Sequence, residues 1–198
     1  MFSGIIESLG QLKHVEKEQS NIRLTIESPL SNQLKIDQSV AHNGICLTVV
    51  ACTTTTFEVV AIDETIRKTT ISRWQAGDRI NLERCIALGA RVDGHMVQGH
   101  VDTTGIVTDI AILDGSWKFV IRYTSEDLTV PKGSISINGV SLTVVDSAPG
   151  LLSVCIIPFT YEHTTFQYIK VDDRVNLEFD VLGKYIAAYM KHYKPVST

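Results

Sequence analysis

What the chain lacks narrows its chemistry before any motif is considered. Over 198 residues it has no basic excess: 18 Lys and Arg stand against 22 Asp and Glu, a formal charge of -4. It therefore carries no electrostatic footprint for nucleic acid or an anionic membrane. Its four cysteines, Cys46, Cys52, Cys85 and Cys155, make no C-x-x-C pair and no His/Cys cluster at zinc spacing. Free thiols in a reducing cytoplasm are the simplest expectation. His95 and His100 lie five apart, on opposite faces of a strand and off a common helical face, so no metal site is expected. No apolar run reaches the roughly 20 residues that span a bilayer, and no basic n-region with a long apolar h-region opens the chain. The expected partner is a small molecule.

What the chain has is itself, twice. Shifted by 95 residues, His42-Asn43-Gly44-Ile45-Cys46-Leu47-Thr48-Val49-Val50 falls on Ile137-Asn138-Gly139-Val140-Ser141-Leu142-Thr143-Val144-Val145. The same shift carries Met1, Gly4 and Gly10 onto Met96, Gly99 and Gly105, and Asp78-Arg79-Ile80-Asn81-Leu82-Glu83 onto Asp173-Arg174-Val175-Asn176-Leu177-Glu178. A constant offset this long is the duplication of a folded domain, since solenoid units repeat at roughly 20–50 residues. The expected units are 1–95 and 96–180, with a glycine-rich boundary around 89–99.

Within each copy the apolar period is two. Stretches 21–27, 78–83 and 134–138 alternate, and 47–52, 57–62, 118–123, 142–145 and 151–157 are rich in β-branched and aliphatic residues. Turns punctuate them at Asn43-Gly44, Gly77-Asp78, Asp114-Gly115, Asn138-Gly139 and Pro149-Gly150. This is all-β patterning, and closing each unit into a barrel of about six strands removes exposed edges. Helical turns are expected at 64–68 and 125–128. From residue 181 to the end the pattern changes: Leu182, Tyr185, Ile186, Tyr189, Met190 and Tyr193 recur at helical spacing with no counterpart in the first half. This stripe packs on its own chain or on another subunit.

The strings Met1-Phe2-Ser3-Gly4-Ile5-Ile6-Glu7, Asn43-Gly44-Ile45-Cys46-Leu47-Thr48-Val49, Gly94-His95-Met96-Val97-Gln98-Gly99-His100-Val101 and Asn138-Gly139-Val140-Ser141-Leu142-Thr143-Val144, in this order and in both halves, resemble the riboflavin synthase family of the alpha-chain type. The resemblance covers essentially the whole chain. It implies two tandem, pseudo-symmetric, six-stranded Greek-key barrels followed by an α-helix (181–198) that serves a homotrimer. It also implies dismutation of two 6,7-dimethyl-8-ribityllumazine molecules by four-carbon transfer, without a cofactor, and allows association with a lumazine synthase.

On this resemblance the two lumazines take one pocket per barrel. The first is expected at Gly4, Ile5, Ile6, Cys46, Leu47, Thr48, Val60, Ala61, Ile62, Asp63, Glu64 and Thr65. The second is expected at Gly99, His100, Val101, Ser141, Leu142, Thr143, Cys155, Ile156, Ile157, Pro158, Phe159 and Thr160, with Lys132 reaching in from a neighbour. Cys46, His100, Ser141 and Thr143 are the catalytic candidates. Cys46 is a nucleophile, a polar contact or simply a small residue at a strand start. His100 moves a proton or is a hydrogen-bonding histidine at the inter-barrel joint. Asn43-Gly44 and Asn138-Gly139 are read as tight turns, and Thr69-Thr70 and Thr164-Thr165 as strand-entry residues. Related folds hold a fluorescent ligand without turnover, or dock a flavin; matched pockets in both halves favour the enzyme.

Overall fold

The computed structural model describes residues 1–192; Tyr193 and the remainder of the expected tail lie outside the described residues. Strands β1 (Ser8–Glu18), β2 (Asn21–Glu27), β3 (Ser39–His42), β4 (Ile45–Cys52), β5 (Thr56–Ala61) and β6 (Arg79–Arg84) close into a barrel of hydrogen-bonded order β1-β2-β5-β4-β3-β6. Strands β7 (Thr103–Leu113), β8 (Ser116–Tyr123), β9 (Ser134–Ile137), β10 (Val140–Ala148), β11 (Leu151–Ile156) and β12 (Arg174–Phe179) close a second one with the same winding. All pairings are antiparallel. Helix α1 (Asp63–Lys68) follows β5, α2 (Pro158–His163) follows β11, and α3 (Val181–His192) follows β12.

Period two explains the cores. Leu24, Ile26, Val49, Phe57, Val59, Ile80 and Leu82 fill the first barrel, and Phe119, Ile121, Val144, Val154, Val175 and Leu177 the second, all fully buried. Register breaks fall at matched places, between Leu12 and His14 and between Val107 and Asp109, where an extra residue bends a long strand around the closure. The helical turn expected over 125–128 does not form. There Ser125 Oγ accepts the Asp127 N–H at 3.0 Å, and Glu126 is drawn to Lys191 of α3 at 2.9 Å. Helix α2, by contrast, forms over a stretch for which no helix was expected. Its signal was the proline at its first helical position, where the missing N–H costs nothing.

The two barrels meet across a pseudo-twofold axis. Phe2 and Val97 pair there as an antiparallel bridge, Phe2 N–H to Val97 O at 2.7 Å and Val97 N–H to Phe2 O at 3.0 Å. Asn43 and Gly44 have φ of 45° and 78°, Asn138 and Gly139 of 47° and 81°, the left-handed values of a tight hairpin turn. The two turns touch: a Cβ on Gly44 would stand 2.7 Å from the Gly139 nitrogen. β6 and β12 are buried on both faces. Asn81 and Asn176, pointing away from the cores, reach into the opposite barrel: Asn81 Nδ2 donates to Asn138 O and Asn176 Nδ2 to Asn43 O, each at 2.9 Å.

Candidate active site

The segments that precede each barrel are exchanged. Residues of 1–6 lie against the second barrel: Ser141 N–H donates to Gly4 O at 2.8 Å, and Ile6 packs on the second core. Residues of 97–101 lie against the first: Cys46 N–H donates to Gly99 O at 2.9 Å, and Val101 packs on the first core. The pockets are therefore regrouped relative to the sequence expectation. Gly4, Ile5 and Ile6 belong with Ser141, and Gly99, His100 and Val101 with Cys46. Contact is close enough to require glycine, since a Cβ on Gly99 would lie 2.6 Å from Cys46 Cβ and one on Gly4 2.6 Å from Ser141 Cβ.

Each exchanged segment is held by a buried carboxylate that the sequence reading missed. Glu83 accepts the Ser3 N–H and hydroxyl at 2.6 and 2.7 Å and the Gly4 N–H at 3.0 Å. Glu178 accepts the Gln98, Gly99 and His100 N–H groups at 2.6, 2.9 and 2.8 Å. Burial drives both acids up, Glu178 to about 6, although the donors from Ser3 and Gly4 pull Glu83 the other way and the amides and Lys184 do so for Glu178. The repeat of Leu-Glu at both barrel ends was the available signal, but alternation alone does not say that the polar face of a strand is buried.

The first pocket is a cavity of about 220 Å³ lined by Ile45, Cys46, Glu64, Thr65, Lys68, Thr69, Gly99, His100 and Val101. β4 turns Cys46 outward, half-buried, with Thr48 exposed beyond it on the same face. Burial raises the Cys46 thiol above its ordinary value. The group thus enters the pocket as a neutral S–H. Glu64 and Lys68 pair one helical turn apart at 3.2 Å along the rim. Val60 is half-buried on β5, while Ile62 and Asp63 are exposed where β5 runs into α1.

In the second barrel Ser141 occupies the place of Cys46, and its hydroxyl lies 2.6 Å from His95 Nδ1. Burial lowers the His95 pKa, and its Nε2 is buried without a partner. The two sites therefore differ at their centres, a half-buried thiol in one and a hydroxyl bonded to a histidine in the other. Thr143 is exposed two residues along β10. Ile157, Pro158 and Phe159 are exposed at the start of α2, with Thr160 and Cys155 half-buried; Phe159 stacks on His163 at 4.1 Å. Lys132 is exposed in a turn at φ 68°.

Some expected contacts point elsewhere. Leu47, Ala61 and Ile156 are buried in the barrel interiors, and Leu142 packs on the second core. Period two sends each of these away from its outward neighbour, leaving only their backbone groups for a ligand. Thr69 and Thr164 do not enter strands. Their hydroxyls accept the Ile71 and Phe166 N–H groups at 3.3 Å and start 3-10 turns. Among the described residues no group of three or more His, Cys, Asp or Glu could hold a metal ion, and no helix is long and apolar enough to cross a membrane.

A family profile described as the lumazine binding domain matches twice, over residues 3–85 and 98–180. The chain is 36% identical over 194 residues to a riboflavin synthase of Actinobacillus pleuropneumoniae, spanning 96% of this chain and 90% of that one. It is 38% identical over 202 residues to one of Mycobacterium tuberculosis, spanning 96% and 98%. Among solved structures, LumP complexed with 6,7-dimethyl-8-(1'-D-ribityl) lumazine superposes with a TM-score of 0.82 at 24% identity, covering 90% of this chain and 98% of that one. LumP complexed with riboflavin gives 0.84 at 22%, covering 90% and 99%. At these identities the two structures speak for the fold.

Proposed function

The chain belongs to the riboflavin synthase family of duplicated lumazine-binding domains, and on that premise we propose how its two pockets carry out the reaction. The activity is riboflavin synthase: two 6,7-dimethyl-8-ribityllumazine molecules exchange a four-carbon unit, giving riboflavin and 5-amino-6-(D-ribitylamino)uracil, the last step of riboflavin biosynthesis. The observation that carries the mechanism is the exchange of segments, which builds two related ledges, Gly99 against Cys46 and Gly4 against Ser141. Two copies of one bicyclic substrate need two related sites, and their centres must differ because one molecule gives carbon and the other receives it. Holding both rings at reacting distance can supply about 7–11 kcal/mol of the barrier.

Backbone groups of the two ledges bind the pyrimidine edges, while Thr48, Thr65, Thr143 and Thr160 offer hydroxyls to the ribityl chains. Cys46, kept neutral by burial, donates a weak hydrogen bond to its ring. Ser141 does the same through a hydroxyl oriented by His95. His100, at the mouth of the first pocket, takes the proton released at the substrate methyl. The first cavity, at about 220 Å³, falls short of the roughly 300–1,000 Å³ of ordinary ligand sites. That shortfall supports a site completed by a second copy, whose Lys132 covers the ligand.

Assembly as a homotrimer fits the face of α3 that presents Leu182, Tyr185, Ile186 and Met190 to solvent. A cytoplasmic location and association with a lumazine synthase accord with this role. The test is direct. Purified protein given 6,7-dimethyl-8-ribityllumazine alone should develop riboflavin absorbance, two substrates consumed for each product. Tight binding with no product would refute the enzyme reading in favour of a lumazine carrier. Sedimentation at the mass of a single chain would refute the trimer.

A further inference from the structure

The two repeats neutralise the acid behind their exchanged segment differently. In the first, Glu7 accepts the Arg84 backbone N–H at 2.6 Å and the Arg84 guanidinium at 2.9 and 2.6 Å. The 95-residue shift turns Glu7 into Asp102 and Arg84 into Phe179. Asp102 keeps the backbone bond, accepting the Phe179 N–H at 2.9 Å, but the second repeat has lost its cation. The replacement comes from outside the repeat: Lys184 on α3 donates to both Asp102 oxygens, at 2.9 and 2.8 Å. Both side chains are about four-fifths buried, at 22% and 21% exposure.

Asp102 directly follows Gly99, His100 and Val101, the segment that lines the Cys46 pocket. Three amides at its start are held by Glu178. Lys184 thus stands on the carboxylate at one end of the segment and acts electrostatically on the carboxylate at the other. Removing it leaves two neighbouring, partly buried acids without their cation, a state relieved only by protonation or by release of the segment.

We propose that Lys184 is a positioning residue for the Cys46 pocket: α3 supplies the cation that ties the segment 98–102 to the end of β12 and so keeps it in place against the first barrel, which makes the C-terminal helix a working part of that pocket and not only an assembly surface. The proposal rests on reading the pocket as a lumazine site. It distinguishes the two pockets, because the Gly4 segment has its own cation in Arg84.

The test compares Lys184→Met and Lys184→Arg with the parent chain. In ligand-free protein, hydrogen exchange at the Gln98, Gly99 and His100 amides should accelerate roughly five- to tenfold in Lys184→Met, the scale of coupling within one hydrogen-bonded network. The Ser3 and Gly4 amides, held by Glu83, serve as the internal control and should not change. Lys184→Arg should restore protection, and so should Asp102→Asn combined with Lys184→Met, which deletes the stranded charge while keeping an acceptor for the Phe179 N–H.

In lumazine turnover, Lys184→Met should move the acid limb of the rate profile to higher pH, because Glu178 loses the cation that helps keep it ionised and, once protonated, accepts fewer amides. The groups near Glu178 are Lys184 from α3, Asp102 from the segment itself, bonded to the adjacent Phe179 N–H, and the Cys46 thiol from β4; the thiol is neutral across this range. Equal exchange at Gly99 and Gly4 in Lys184→Met, or faster exchange that neither restoring variant reverses, would overturn the proposal. If the parent chain makes no riboflavin, the functional reading fails while the exchange result still decides the coupling.

Discussion

Replacing His42 with isoleucine should flatten the acid side of the stability curve. The ring of His42 is fully buried at the end of β3, tilted against Phe57 at a centroid distance of 5.5 Å. Neither ring nitrogen has a well-formed hydrogen bond. Burial lowers its pKa from 6.5 to about 4, offset only in part by the nearby backbone of Ile45 and Val40. Because the folded value is depressed, the unfolded chain takes up the proton first. Stability is complete above about pH 6.5 and falls as pH drops toward 4, below which this contribution is flat.

The gap between 6.5 and about 4, at about 1.4 kcal/mol for each factor of ten, comes to roughly 3 kcal/mol. The second barrel supplies the substitution, since Ile137 occupies the equivalent position and is fully buried. Urea denaturation followed by tryptophan fluorescence, at intervals from pH 8 to 4, measures the effect as the difference between variant and parent. That difference cancels other titrations, including Glu178, whose raised pKa has the opposite sign and favours the folded state at low pH. His42→Ile should gain on the parent by about 1.4 kcal/mol per pH unit below 6.5. Parallel curves would show that the parent's acid sensitivity arises elsewhere and would refute the reasoning.

Two further substitutions probe the joint and the site. Asn81→Ala strips the Asn138 carbonyl and the Thr165 N–H and hydroxyl of a buried partner. It should cost about 3 kcal/mol, a few times the cost of one buried unsatisfied group, read as an earlier urea midpoint; a loss below 1 kcal/mol would mean that water enters the joint. Cys46→Ser should retain activity within about tenfold, because a neutral thiol is asked only for a weak hydrogen bond and Ser141 already serves the second pocket. A fall of several orders of magnitude in riboflavin formation, with folding intact, would point instead to an obligatory thiolate.

Much of this architecture is legible without coordinates. The 95-residue shift announces two equal units, alternation at 21–27 and 78–83 announces strands, and the paired Asn-Gly turns place Cys46 and Ser141 at matching strand starts. Outward and inward positions along β4 follow from counting by two from Cys46, which is why Leu47 turns out to belong to the core. Glu83, Glu178, Asn81 and Asn176 escaped notice for a physical reason. Their strands bury both faces, and polar alternation reads the same whether the polar face meets water or another barrel.

A duplicated sequence determines that Cys46 and Ser141 stand at matching strand starts, but not which copy of the glycine segment lies against which. Gly4 with Cys46 and Gly4 with Ser141 obey the same repeat, so the symmetry leaves them degenerate. Contacts distant in sequence decide between them: the Phe2–Val97 bridge on the axis, the Gly44–Gly139 approach that only two bare backbones can make, and the buried carboxylates at the ends of β6 and β12. Each gains its energy only when both barrels are folded and docked.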